Sequence, residues 1–395
     1  MPHLDEAFLD SAQSLEALDS RGSLRALASA GAQVRRAIVS AREAGIDRVA
    51  GGDRPRSVLV ASLGGSSVVC DVLDVLAEPG SPVPVTTRRE APLPGWIGPL
   101  DLVIAVSLSG RAAGPLALAA EAARRGASLL TVGAPDSPLA DVCARGRGVH
   151  VDIAATVPTS RAALWSMLTP VLLAADRLGL VECPEQVLER VADLLDGRAE
   201  ECRPSSESFV NPAKVLALGL AETVPVVLGD GALTGVAASR TAAMFARTAG
   251  MPTTHGALPD AASQVVACFD GPFGRSGEST GNGSASGGIF ADPFLDGPPA
   301  PQLGLLLLRD HPEAHRERGA PVSGFPAVDL AEAVAESARD AGVKVWEVEA
   351  LAGHPIERLA SLIAMTDYAA TYLALGLGLD PAVSRHVTEL RDRTS

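Results

Sequence analysis

The chain has 395 residues and a mass of 40.3 kDa, which favours two domains because a single core seldom grows beyond about 250 to 300 residues. Hydrophobic residues make up 47% and charged residues 20% of the sequence, as in a globular protein. The formal net charge of −14 and a pI near 5.0 argue against nucleic acid and anionic membranes as partners, because both are polyanions.

The cysteines and the apolar segments of the sequence indicate in which cellular compartment the protein lies. The five cysteines form no CxxC pair and are odd in number, which predicts free thiols in a reducing compartment. The first residues are acidic and lack the basic segment and apolar block of a secretory signal. The longest apolar run, at 303–308, is too short to span a bilayer. Together these features predict a cytoplasmic protein.

The first half alternates between helical and strand patterns. The first fifty residues have helical periodicity and predict helices that precede the first strand. Short, β-rich apolar runs then predict strands at 57–62, 83–87, 102–107, 128–133 and 148–153, with a helix at about 114–125. This alternation predicts a doubly wound parallel sheet.

The second half repeats this organisation. Two helical stretches, 160–179 and 184–203, lead to it. Its strands are predicted at 224–229, 303–308 and 343–349, and two terminal helices at about 354–378 and 381–391. The predicted fold class is therefore α/β, with two doubly wound parallel sheets and flanking helices at both ends of the chain. We predict a first domain over 1–205 and a second domain over 206–395.

A segment rich in glycine and serine interrupts the second series. Its composition at 271–288 cannot fold onto a core, so we interpret it as a flexible insertion in the second domain. A domain boundary at this place is the alternative. Only one predicted strand of the second half precedes the segment, which is too few for a separate sheet.

Two turns that contain glycine and serine directly follow predicted strands of the first half. Gly64–Ser67 reads GGSS and follows the first strand, and Ser107–Gly110 reads SLSG and follows the third. Parallel sheets bind ligands at the carboxyl ends of their strands, where helix N-termini offer N–H groups to anions. The two turns together predict a phosphate site, although a single such turn would be explained equally well by helix capping.

Other ligands fit the motifs less well. The LGGSSV turn lacks the GxGxxG spacing of a dinucleotide site, although Arg88 and Arg89 after the second strand would suit a 2′-phosphate. His311 and His315 have the spacing of metal ligands on a helix. The sequence between them is HPEAH rather than HExxH, and Pro312 favours a surface turn. The sequence predicts neither a metal nor a cofactor.

The order of these motifs resembles the sugar isomerase (SIS) domain proteins, specifically the bifunctional phosphoglucose/phosphomannose isomerases, as a divergent member. The GGSS and SLSG turns are similar to the family's GGSG and SYSGNT turns, and SRAAL at 160–164 is similar to its PRAAL segment. In the second half GVA at 235–237, LPD at 258–260 and the terminal DYAATYLALGLGLDP and TELRDR runs match in the same order. The resemblance implies isomerisation of glucose 6-phosphate or mannose 6-phosphate with fructose 6-phosphate, in a homodimer.

The resemblance also implies which residues bind the phosphate of the sugar. They are Gly64, Gly65, Ser66, Ser107, Ser109, Gly110, Arg111 and Arg161. Ser66, Ser107 and Ser109 correspond to phosphate ligands and Arg161 to an active-site arginine. Arg111 and Ala112 stand where the family has asparagine and threonine, so one hydroxyl ligand is missing and the charge of Arg111 is available instead.

The residues that would move a proton depart further from the family. Its catalytic glutamate falls in the stretch 245–250, which reads FARTAG and holds no carboxylate, and its histidine corresponds to Ser263. Its lysine corresponds to Arg391, which holds charge but does not readily release a proton. His255 and Asp260 are the candidate substitutes, although a lone histidine in such a segment is more often structural.

Two functions therefore stay open. One is a phosphosugar isomerase with a rearranged site, which the resemblance favours. The other is a non-catalytic sensor or regulatory protein that binds a small phosphorylated sugar, which the missing glutamate and histidine favour. A module that passes the signal to DNA is less favoured, because no basic segment suits DNA binding.

Overall fold

The computed structural model describes residues 4, 6–153, 157, 159–274, 302–312 and 329–394. The chain divides into two compact units. The N-terminal unit comprises Arg25–Ala199 and His354–Glu357, and the C-terminal unit comprises Met1–Leu24, Glu200–Gly353 and Arg358–Ser395. Most of the predicted insertion and His315 lie outside the described residues. The predicted division at residue 205 stays a prediction.

The N-terminal unit contains a five-stranded sheet in which all neighbouring strands are parallel. Its strands are β1 (Val58–Ser62), β2 (Val85–Arg88), β3 (Leu102–Ser107), β4 (Ser128–Gly133) and β5 (Val149–Asp152). The strand order is β2-β1-β3-β4-β5, and β1 and β3 are buried along their whole length. Sheets covered on both faces need such continuous apolar strands, which is why the sequence pattern reveals them.

The C-terminal unit contains a second parallel sheet with the order β7-β6-β8-β9. Its strands are β6 (Thr223–Gly229), β7 (Thr254–Ala257), β8 (Gln302–Arg309) and β9 (Lys344–Glu349). The sequence does not predict β7. This strand reads THGA and lies at an edge with no buried residue, so the apolar run that marks an inner strand is missing.

Each stretch with predicted helical periodicity contains a helix, and the structure adds helices at Pro138–Arg145, Pro212–Leu220, Ala262–Phe269 and Leu330–Asp340, which the sequence does not predict. In chain order the helices are α1 (Glu6–Leu9), α2 (Ala12–Leu18), α3 (Ser23–Ala28), α4 (Ala30–Glu43), α5 (Val68–Ala77), α6 (Ala113–Arg124), α7 (Pro138–Arg145), α8 (Leu164–Arg177), α9 (Glu185–Glu201), α10 (Pro212–Leu220), α11 (Ala232–Thr248), α12 (Ala262–Phe269), α13 (Leu330–Asp340), α14 (Pro355–Gly376) and α15 (Arg385–Thr394). Short 3₁₀ helices occupy Ile46–Ala50 and Gly64–Ser66.

Each sheet has its own hydrophobic core. In the N-terminal unit Leu59 and Val103 of the sheet pack with Leu118 of α6 and Leu139 of α7. In the C-terminal unit a separate cluster joins the sheet to α12 and α13 through Leu228, Leu305, Phe269, Val334 and Ala335. Two sheets with separate cores establish the predicted α/β fold class.

Helix α14 is the longest of the described helices. It is long and apolar enough to cross a membrane, yet its apolar stretch is entirely buried inside the protein. Core helices of globular proteins have the same composition, because a helix that is apolar all round must be covered on every face.

A buried lysine anchors the first helix of the chain. The ammonium group of Lys214 is fully buried and donates to the carbonyl oxygens of Leu9 at 2.6 Å, Ser206 at 2.6 Å and Pro204 at 3.0 Å. The carboxylate of Asp10 lies 3.6 Å away. A buried charge needs such partners, so these contacts tie the end of α1 to the segment before α10.

Candidate phosphate site

The two serine-containing turns leave the same edge of the N-terminal sheet. β1 and β3 are adjacent and parallel, so the turns that follow them lie at neighbouring carboxyl ends. The strand order reverses at this pair, because β2 lies on one side of β1 and β3 on the other. Sheets of this order bind ligands at that crevice. The turns lead directly to the N-termini of α5 and α6, where N–H groups favour anions.

The first turn needs glycine at two positions, for different reasons. Gly64 has a φ of +68°, in the left-handed region that favours glycine. A Cβ on Gly65 would lie 2.4 Å from the hydroxyl oxygen of Ser160 and 3.3 Å from the backbone nitrogen of Arg161. The missing side chain therefore lets the segment that carries Arg161 pack against the turn.

The second turn is held by a neighbouring segment. Gly110 has a φ of +64°, and a Cβ there would lie 2.0 Å from the hydroxyl oxygen of Ser137. Ser137 is buried and caps α7 by accepting a hydrogen bond from the backbone N–H of Ala140 at 3.3 Å. Sequence reasoning missed Ser137, although serine followed by Pro138 is a common start of a helix.

The three predicted serine ligands of the phosphate differ in the hydrogen bonds that their hydroxyl groups already form. Ser107 Oγ accepts from the backbone N–H of Ala112, and Ser109 Oγ accepts from that of Arg111, each at 3.3 Å. These contacts use oxygen lone pairs and leave the hydroxyl hydrogens to donate to an anion. Ser66 instead donates to the carbonyl oxygen of Leu63 at 3.0 Å, so its hydroxyl must rotate before it can bind phosphate.

Replacing Gly110 by alanine tests the geometry of the second turn. We expect Gly110→Ala to lower the free energy of unfolding by about 1 to 3 kcal/mol, because it combines a left-handed backbone with a clash against Ser137. Sugar-phosphate binding should weaken in parallel. The matched control is Gly95→Ala, since a Cβ there meets nothing within 4 Å and φ is not positive. Equal unfolding midpoints in urea for the two variants would contradict the expectation.

The groups behind the first turn supply no nucleophile. Cys70 lies in α5 with its sulfur 2.9 Å from the hydroxyl oxygen of Ser62, and burial raises the pKa of its thiol to about 11. The thiol is therefore neutral near pH 7, and only a thiolate attacks readily. No cluster of three metal-ligating side chains occurs among the residues for which the structure gives positions.

The proposed proton-transfer residues belong to the C-terminal unit. His255 lies in β7, in register with Val227 of β6, and is exposed. Asp260 is exposed in the turn that follows β7, and Ser263 is exposed in α12. The backbone of Arg391 lies in α15, but its side chain is outside the described residues.

The strand order of the second sheet also reverses between two adjacent strands, β6 and β8. Two aspartates of the chain lie at that crevice. Asp230 follows β6 and Asp310 follows β8, at adjacent strand ends. Asp230 accepts hydrogen bonds from the backbone N–H of Asp310 at 3.0 Å and from the hydroxyl of Thr234 at 2.9 Å. Arg358 pairs with Asp310 at 2.9 Å. These carboxylates disfavour phosphate there. Sequence reasoning missed this feature, although Asp230 directly follows the predicted strand at 224–229 and Asp310 lies two residues after the one at 303–308.

The second half of the chain matches a characterised family. Residues 209–394 match the bacterial phospho-glucose isomerase C-terminal SIS domain. A bifunctional phosphoglucose/phosphomannose isomerase from Caldicellulosiruptor bescii is 29% identical over 186 residues, which are 46% of this chain and 53% of that protein. The match thus spans about half of this curated relative.

Solved structures share the fold over nearly the whole chain. A hypothetical protein from Thermus thermophilus has a TM-score of 0.67 at 16% identity and covers 100% of this chain and 99% of its own. A glucose-6-phosphate isomerase like protein from the same organism has a TM-score of 0.54 at 20% identity, over 94% and 96% of the two chains. Residues 209–394 are thus similar to the C-terminal SIS domain of bacterial phosphoglucose isomerases, and the chain as a whole shares its fold with these solved structures.

Proposed function

We propose that the protein binds a phosphorylated hexose at the carboxyl edge of the N-terminal sheet and has little isomerase turnover. The observation that carries this proposal is the convergence of two serine-containing turns at the β1/β3 crevice. Ser107 and Ser109 keep hydroxyl hydrogens available for an anion, and two helix N-termini begin there. The phosphate of a sugar phosphate fits these groups.

The net charge of −14 does not oppose this site. Exposed charges farther away than about 10 Å are largely screened at ordinary ionic strength, whereas hydroxyl and backbone donors act at contact distance. Local donors therefore decide the affinity. Three arginines, Arg88, Arg111 and Arg161, belong to segments at the same edge of the sheet and add positive charge.

The proposed lack of isomerase turnover rests on residues in the second half of the chain. By the resemblance, the position of the family's glutamate falls in the stretch 245–250, which has no carboxylate. The position of its histidine is Ser263. A protein that binds a sugar phosphate without converting it would act as a sensor or regulatory protein. The second candidate is an isomerase in which His255 and Asp260 replace the missing pair. Only the similarity to the phosphoglucose/phosphomannose isomerases favours it, since both side chains are exposed.

The binding site is tested at Ser109. Ser109→Ala should weaken the binding of fructose 6-phosphate by about 1 to 3 kcal/mol, the range for a lost hydrogen bond to a charged group. Calorimetric titration measures this change. Ser128→Ala is the matched control, because Ser128 is exposed at the start of β4, at the opposite edge of the sheet. An unchanged affinity for Ser109→Ala would remove this turn from the site.

Homodimer assembly in the cytoplasm is part of the proposal. The family completes its site with the histidine of a second subunit, and here that position is Ser263, so the subunit contact has less to contribute to catalysis. We still expect sedimentation at micromolar concentration to show a species of twice 40.3 kDa. A single monomeric boundary would contradict the dimer.

A further inference from the structure

Arginines gather at the edge of the N-terminal sheet that carries the two turns. Arg88 is the last residue of β2, the strand beside β1. Arg111 directly follows the second turn, and the backbone of Arg161 packs against Gly65 in the first.

Backbone packing brings the arginine-bearing segments together. A Cβ on Gly114 would lie 2.0 Å from the carbonyl oxygen of Arg89, so the segment after β2 contacts the first turn of α6. Arg88 directly precedes Arg89, and Arg111 lies three residues before Gly114. The side chain of Arg89 turns toward Asp71 of α5, with their charged atoms 3.7 Å apart.

Two of these arginines have no partner for their charge within the described parts of the chain. Arg88 and Arg111 are exposed and form neither an ion pair nor a side-chain hydrogen bond with any described residue. Among the other carboxylates near this edge, Glu90 and Asp136 are exposed and bridge to neither arginine, and Asp152 at the end of β5 lies 3.3 Å from His150. Neighbouring like charges repel, and an anion bound between them would remove that cost.

We infer that the ligand carries a second anionic group beside the phosphate and that Arg111, together with Arg88, binds it. The inference rests on the proposed phosphate site, because the serine hydroxyls and helix N-termini already satisfy one phosphate. Guanidinium groups pair with carboxylate or phosphate through two parallel hydrogen bonds. The chemical class is therefore a sugar bisphosphate or a phosphorylated sugar acid.

The test compares ligands that share one phosphate and differ in the second group. The full chain is titrated calorimetrically at low ionic strength with fructose 6-phosphate, fructose 1,6-bisphosphate and 6-phosphogluconate. We expect at least one of the doubly anionic ligands to bind about tenfold more tightly than fructose 6-phosphate, as for one charge-assisted contact. High salt should reduce the preference, since exposed charges are screened.

Three variants test which residues cause the preference for doubly anionic ligands. Arg111→Asn restores the residue type of the family and should remove the roughly tenfold preference, so that the doubly anionic ligands lose about tenfold more affinity than fructose 6-phosphate does. Ser109→Ala should weaken all three ligands by a similar factor, because it contacts the shared phosphate. Arg145→Gln makes the same change of charge at the end of α7, just before β5 begins and so at the opposite edge of the sheet, and should change nothing.

The outcomes separate this inference from the proposed function. Equal affinities for all three ligands, or an equal loss for all three in Arg111→Asn, would overturn the second anion site while the phosphate site stands. A loss in Arg145→Gln as large as in Arg111→Asn would show a long-range charge effect and overturn it as well. Tighter binding of NADPH than of any sugar phosphate would reassign the arginines to a nucleotide. If none of the sugar phosphates binds, both proposals fail.

Discussion

Asp367→Asn should lower the free energy of unfolding of the C-terminal unit by about 3 to 5 kcal/mol. Asp367 of α14 pairs with Arg240 of α11, and the side chains of the two are only 5% and 4% exposed. The guanidinium group donates twice, with Nη2 2.6 Å from Oδ2 and Nε 3.1 Å from Oδ1. Asparagine keeps the shape but not the charge, so the buried arginine loses the negative charge of this partner.

The matched control is an ion pair on the surface of the same unit. Glu200 and Arg203 also pair, but their side chains are 70% and 52% exposed, so Glu200→Gln should cost no more than about 1 kcal/mol. Urea unfolding followed by circular dichroism measures both variants, with hydrogen exchange of α11 and α14 to locate the loss. The double variant Arg240→Met with Asp367→Leu should recover most of the stability. Similar losses for Asp367→Asn and Glu200→Gln would contradict the argument.

The sequence predicts the parallel sheets well because inner strands leave a clear signal. β1, β3 and β8 are short runs of aliphatic residues, and they are found almost where the pattern indicates. The edge strand β7 escapes because THGA is polar and half of it is glycine or alanine. An edge strand needs only backbone hydrogen bonds on one side, so its side chains carry little information.

The grouping of the first residues could not be predicted from periodicity. Met1–Leu24 belong to the compact unit of the second half, although some thirty residues later the chain enters the first sheet. Within that unit the buried ammonium group of Lys214 holds the end of α1, and Ser208 donates to Asp10. Such long-range polar contacts depend on the tertiary structure and leave no local pattern.

The candidate site shows the same division between local and distant information. The turns at Gly64 and Ser107 follow from a local rule, since polar residues after buried parallel strands gather at one edge. The contact of Gly110 with Ser137 and the closing of the second crevice by Asp230 and Asp310 involve segments far apart in the chain. The spacing of the sequence alone predicts the two turns, whereas the contacts between distant segments are visible only in the folded structure.

Purified protein should interconvert fructose 6-phosphate with glucose or mannose 6-phosphate at less than about 1 s⁻¹, the low end of ordinary turnover. Moving a proton between C1 and C2 needs a positioned base, and ring opening needs a second proton-transfer group. Each such group contributes about 10²- to 10⁴-fold to the rate. The resemblance assigns the two positions to the stretch 245–250, which has no carboxylate, and to Ser263, which has no imidazole.

A coupled assay measures this turnover, and calorimetric titration of the same preparation shows that the phosphate site is intact. Binding without turnover is the expected result, because Ser107 and Ser109 lie in one compact unit and the missing proton-transfer groups belong to the other. Turnover above about 1 s⁻¹ would contradict it and would mean that a substitute base exists. His255→Ala and Asp260→Asn then identify that base: the variant that lowers kcat by about 10² or more while leaving the affinity for fructose 6-phosphate unchanged carries the proton.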